Sequence, residues 1–95
     1  MRITRRNILY HELVGLEVKI LRHPDPSIEG LEGTVYWETE RALYVRVPGD
    51  PRPKLILKKG ALIAFKLPHG GYALVEGEQL IGDPVERAKR ARYGV

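Results

Sequence analysis

The groups in this chain that can move a proton or hold a metal are three histidines and a set of scattered carboxylates. His11, His23 and His69 fall in separate loops or turns, with no cysteine and no second ligand at i+3 or i+4, so no metal site is expected. His11 and Glu12 are adjacent and could form a general-base pair. Neighbouring residues on a helix point about 100° apart, so the two do not face one target. Asp25, Glu29, Glu32, Glu38 and Glu40 spread over a loop and two strand ends and do not assemble a two-metal centre. No serine sits in a nucleophile elbow, and no glycine-rich loop leads to a phosphate-binding lysine. No residue is assigned as catalytic and none as a metal ligand.

Positive charge is the remaining chemistry. The chain has 16 Lys+Arg against 12 Asp+Glu, a net charge of +4. The excess is segregated. Arg2, Arg5 and Arg6 open the chain without an acid. Arg52, Lys54, Lys58, Lys59 and Lys66 follow one another over residues 51–66, again without an acid. Arg87, Lys89, Arg90 and Arg92 crowd the C-terminal stretch, and Arg46 falls on the outward face of a strand. Residues 25–50 carry six acids against two arginines. Such segregation makes a basic face and an acidic face, and a basic face binds a polyanion by releasing counterions. The basic residues named here are the candidate nucleic-acid contacts, acting on phosphates rather than reading bases. The plainer alternative is a solvated surface of mixed charge.

Those charges need a scaffold. Ninety-five residues allow one small domain with a thin core. The absence of cysteine suits a reducing compartment, and no apolar run is long enough to cross a membrane. The basic start has no apolar segment after it, so it does not read as a secretory signal, and the expected location is the cytoplasm. Few thermolabile residues and many charges fit a thermophilic source.

Residues 1–6 lack periodicity and read as a flexible basic terminus. Asn7 is placed to cap a short helix through Ile8, Leu9 and Leu13 that ends at Gly15. Val14, Leu16, Val18 and Ile20 alternate as a strand with one buried face. Residues 33–39 form the next strand, with Val35 and Trp37 on one face, and Glu40-Arg41 turns the chain into a hairpin with Leu43, Val45 and Val47. The spacing predicts packing for Trp37 in the core; an exposed tryptophan would instead stack on a base or anchor a protein. Residues 54–58, 62–67 and 72–76 are further strands, separated by a proline-rich loop, a kink at Gly60 and a turn at residues 68–71. The expected core is Leu16, Val18, Ile20, Val35, Leu43, Val45, Ile63, Phe65 and Val75. Asp83-Pro84-Val85-Glu86 starts a helix expected to reach about Arg92. This pattern describes a small barrel over residues 7–82 and a basic helix and tail over 83–95.

The order His11-Glu12-Leu13-Val14-Gly15-Leu16, then Pro26, Gly30, Gly33, Val35 and Glu38-Thr39, resembles the family of archaeal ribonuclease P protein component 1. The resemblance continues through Phe65-Lys66-Leu67-Pro68-His69-Gly70 and residues 80–87, and spans most of residues 7–90. One departure is Glu40-Arg41, where the family often has a residue such as Asn in the turn. The resemblance implies a mainly β fold: a six-stranded antiparallel Sm-like or SH3-like barrel with a short N-terminal helix and a C-terminal helix. It implies a non-catalytic subunit that binds the ribonuclease P RNA, pairs with a zinc-ribbon subunit, joins the other protein subunits and meets precursor tRNA indirectly. In that family the RNA cleaves the 5′ leader with Mg²⁺, and the protein itself holds no cofactor. The isolated chain is expected to be a monomer. With a partner implied, Ile8, Leu9, Leu13, Val35 and Trp37 are the candidate protein interface. The alternative is a general Sm-like or SH3-like RNA-binding or ribosome-associated protein.

Overall fold

The structure, a computed structural model, describes residues 2–90. Short alternating segments form six strands: β1 (Glu17–Arg22), β2 (Glu32–Glu38), β3 (Ala42–Arg46), β4 (Lys54–Leu57), β5 (Leu62–Lys66) and β6 (Tyr72–Glu76). They build one antiparallel sheet in the order β4-β3-β2-β1-β5-β6. A 3-10 helix at Ile8–Tyr10 precedes the sheet, another at Gly77–Leu80 follows β6, and helix α1 (Pro84–Lys89) comes last.

Period-two alternation sends one side of each strand inward. The register sets Val18 against Phe65, Ile20 against Ile63, Leu43 against Ile56 and Ile63 against Val75. All nine residues expected in the core are buried, with Ile8, Leu13, Ile56 and Leu80 added to them. Two bulges bend the sheet, one at Leu21 in β1 and one at Tyr36 in β2.

The two edge strands meet at one corner. The backbone at Gly77 runs so close to Lys58 that a Cβ there would lie 1.6 Å from the Lys58 carbonyl oxygen, so only glycine fits. Side chains cover outward carbonyls on both edges. His23 Nε2 donates to Leu57 O at 3.1 Å on β4, and Arg5 Nε donates to Tyr72 O at 2.9 Å on β6. This blunts edges that would otherwise recruit another strand.

The N-terminal helix is shorter than the spacing predicts. It is a single 3-10 turn, and His11 is already extended, so it stops well before Gly15. Asn7 sits at the cap position, but its side chain faces upstream. Its Oδ1 accepts from Thr4 N at 2.8 Å and its Nδ2 donates to Arg2 O at 2.7 Å. The basic terminus, expected to be flexible, is tied down by these bonds, and Ile3 packs on the core. Helix α1 starts as expected. Asp83 Oδ1 accepts from Glu86 N at 2.8 Å, Glu86 Oε1 accepts from Asp83 N at 3.3 Å, and Pro84 occupies the first turn. The expected end near Arg92 lies outside the described residues.

Candidate nucleic-acid and partner interface

The bulge at Tyr36 decides where the charged groups go. Val35 pairs with Val45, but Trp37 pairs with Tyr44, so one extra residue is inserted in β2. Beyond that point the alternation is reversed. Trp37 turns outward and is 60% exposed, and Glu38 turns inward. The expectation that Val35 and Trp37 share a face is corrected by this insertion.

Inside, Glu38 meets two cations. Its Oε2 accepts from Lys58 Nζ at 2.7 Å and from Arg87 Nη1 at 2.6 Å. The other donors end on backbone carbonyls. Lys58 Nζ reaches Thr39 O, Glu40 O and Leu80 O at 2.9, 3.1 and 2.6 Å. Arg87 reaches Leu9 O, His11 O and Gly82 O. Both cations are completely or almost completely buried, and every buried side-chain polar atom of the described residues has a partner. Burial pushes the Lys58 ammonium below its ordinary pKa, while Glu38 opposes that shift.

Two expected phosphate contacts are therefore corrected. Lys58 and Arg87 cannot reach a phosphate from this position, because both are enclosed and fully hydrogen-bonded. A signal for Lys58 was present in the sequence. It stands two residues after Ile56, so the alternation already places it on the inward face.

The other candidate cations are exposed, in different settings. Lys54 pairs with Asp50 at 3.3 Å and Lys66 with Glu17 at 3.8 Å. Such surface pairs are weak and leave the charges available. The Arg46 guanidinium lies 4.7 Å from the centroid of the Tyr36 ring. Arg90 Nη2 donates to Gln79 O and Ile81 O. Arg52, Lys59 and Lys89 are exposed, and Arg92 lies outside the described residues. Arg2, Arg5 and Arg6 are brought together in a cleft of about 570 Å³ with Ile3, Thr4, Leu67, His69 and Gly70.

The expected protein interface also divides. Ile8, Leu13 and Val35 are buried and face the core, because the first turn packs over the end of the sheet. Leu9 is partly buried, and Trp37 is the exposed member. Around Trp37 lies a cleft of about 370 Å³ that also contains Val14, Pro84, Glu12, Glu40, Asp83 and Glu86. The molecule thus has a basic cleft and a separate acidic cleft with an exposed tryptophan.

Among the described residues no three or more His, Cys, Asp or Glu side chains group as a metal site. His11 Nδ1 is bonded to the Glu12 carbonyl, and His23 accepts from Asp25 N–H at Nδ1 in its Nε2–H tautomer. No helix of the described residues is long and apolar enough to cross a membrane.

The family model described as ribonuclease P/MRP, subunit p29 matches residues 6–90. The chain belongs to this family. It is 45% identical over 89 residues to ribonuclease P protein component 1 of Desulfurococcus amylolyticus, covering 94% of this chain and 96% of that one. The corresponding protein of Staphylothermus marinus is 42% identical with the same coverage of each. The solved structure of Mth11, a homologue of human RNase P protein Rpp29, superimposes with a TM-score of 0.60 at 34% identity. That match covers 81% of this chain and 97% of the solved one.

The family resemblance read from the sequence has a physical counterpart. His11, Glu38, Thr39, Leu80, Gly82 and Arg87 are far apart in sequence, yet all contribute an atom to the buried ion cluster. Their role in this p29-family chain is to lock the first turn, β2, the second 3-10 helix and α1 onto one point.

Proposed function

We propose that this chain is a non-catalytic, RNA-binding protein subunit of ribonuclease P. It assists the removal of the 5′ leader from precursor tRNA, while cleavage itself belongs to the RNA and its Mg²⁺. The observation that carries this reading is the p29 family match over residues 6–90. The basic cleft and the exposed cations Arg46, Arg52, Lys54, Lys59, Lys66, Lys89 and Arg90 support the RNA side of it, since each can neutralise a phosphate without reading sequence.

The acidic cleft serves a different partner. Its carboxylates repel RNA, and the exposed Trp37 offers an aromatic face to a Lys or Arg side chain from a protein. In this reading the zinc-ribbon subunit seats there, against Trp37 and Val14. The complex works in the cytoplasm, and the chain is a monomer before it joins its partners.

The test is cleavage of precursor tRNA by a mixture of the cognate RNA and its protein subunits, with and without this chain. Faster cleavage when it is present, at sub-saturating Mg²⁺, is the expected result. Tight RNA binding with no effect on cleavage would instead favour a general RNA-binding protein of the same fold.

A further inference from the structure

We infer that the cleft framed by Arg2, Arg5, Arg6 and His69 seats a phosphodiester of the RNA backbone. The inference rests on the RNA-binding reading above and gives it a location. Three arginines line one opening, and no acidic residue does. None of the three makes an ion pair among the described residues, whereas Arg22, Lys54, Lys58, Lys66 and Arg87 all do. Like charges held together without a counter-charge repel one another, and an anion in the cleft relieves that repulsion.

The cleft is also built in advance. Thr4 Oγ1 accepts from the backbone N–H of both Arg6 and Asn7, and Asn7 Oδ1 accepts from Thr4 N. These bonds fold residues 4–7 into a fixed turn that holds Arg5 and Arg6, and Asn7 Nδ2 ties Arg2 to it through the Arg2 carbonyl. Arg5 is anchored through Nε to Tyr72 O, so its two terminal nitrogens remain free for an anion. Its Nη2 would lie 3.3 Å from a Cβ at Gly71, whose φ is +77°, so glycine there lets the guanidinium approach the turn. Donors held in place before binding lose little freedom when the ligand arrives. Guanidinium suits a phosphate because its parallel N–H groups match two phosphate oxygens.

No Phe, Tyr or Trp lines the cleft, and its one aromatic ring, the His69 imidazole, stands among three arginines, so charge and not base stacking dominates the opening. It grips the backbone and adds affinity with little sequence preference. A phosphodiester, and not the acidic segment of a protein, is taken as its ligand on the strength of the family match, and the polyglutamate arm of the test separates the two.

The test titrates the full chain with a transcript of the cognate ribonuclease P RNA over a range of salt. The variant is Arg2→Ala/Arg6→Ala, since neither side chain makes a hydrogen bond among the described residues and the fold is not at stake. The control is Lys19→Ala/Arg41→Ala, which removes the same charge elsewhere. The cleft variant is expected to lose about tenfold in affinity at low salt, and its slope of log affinity against log salt should fall by roughly 0.7–0.9 for each phosphate no longer neutralised. The control should lose clearly less on both counts. Equal losses in the two variants would overturn the cleft while leaving the RNA-binding reading intact. No binding of the transcript by the unsubstituted chain would overturn that reading itself. Unchanged RNA affinity with lost binding of a polyglutamate peptide would reassign the cleft to a protein.

Discussion

Glu38 and Arg87 are 49 residues apart in sequence, and one carboxylate oxygen of the first accepts from Nη1 of the second at 2.6 Å. Lys58 shares the same oxygen, so a single negative charge serves two buried positive ones. Removing that charge leaves two enclosed cations facing each other. Glu38→Ala should therefore destabilise the fold by about 3–5 kcal/mol, the cost of an uncompensated buried charge. Chemical denaturation reads this directly, and an unchanged midpoint would show that the cluster does not anchor the fold.

How far the sequence announces this arrangement can be judged residue by residue. The alternation of Val18 with Ile20 and of Ile63 with Phe65 is regular, and those core positions are legible. Asp83-Pro84 and Glu86 mark the start of α1 for local reasons of capping, which a sequence also displays. Trp37 is different. Its outward turn depends on one extra residue in β2 opposite β3, and a bulge leaves no mark in the residue types around it. Without that insertion Glu38 reads as an outward residue, and the partner of Lys58 and Arg87 is invisible. Arg87 then looks like surface charge, and the inward position of Lys58, legible from its spacing after Ile56, has no visible counter-charge. The pairing of distant residues, and not local propensity, was the missing information.

Lys58 supplies a pH test. Its folded-state pKa lies below the ordinary 10.5, and burial is the main cause. Between those two pKa values the unfolded chain holds more protons at this site than the folded one, so the Lys58 contribution to stability rises with pH in that window. Below it, the cost of burying the charge is present in full and constant. The stability of the unsubstituted chain relative to Lys58→Met should therefore improve as pH climbs toward 10.5. Denaturation midpoints for both proteins across the alkaline range measure the difference, which cancels contributions from tyrosine and surface lysine. A flat difference would mean that Lys58 is not desolvated.

Trp37→Ala and Phe65→Ala should separate binding from folding. Phe65 is fully buried at the centre of the core, and its removal should cost about 3–5 kcal/mol. Trp37 faces outward, so its loss should change stability by no more than about 0.5 kcal/mol, as for most surface sites. If the acidic cleft receives a partner protein, the same change should weaken that complex by about 2 kcal/mol or more, as expected for an aromatic anchor. Calorimetry of the binary protein complex distinguishes the two effects. Full affinity after Trp37→Ala would remove the cleft from the interface.

The side chain that most resembles a catalytic base is that of His11. His11 contributes to the ion cluster through its backbone carbonyl, which accepts from Arg87 Nη2 at 2.9 Å, and any residue supplies that atom. Its ring is engaged by the neighbouring Glu12 carbonyl through Nδ1. No nucleophile or second acid among its hydrogen-bond partners gives it a proton to move. His11→Ala should therefore leave precursor-tRNA cleavage by the reconstituted particle within a few-fold, whereas loss of a working general base costs on the order of 10² or more. Arg87→Ala should behave differently. It releases Leu9, His11, Glu38 and Gly82 at once, so the termini should detach and the chain should melt earlier. Rates measured for both variants with RNA and protein partners held fixed, alongside their melting curves, separate chemistry from architecture. A hundredfold loss in His11→Ala at unchanged stability would place a proton-transfer step on this protein.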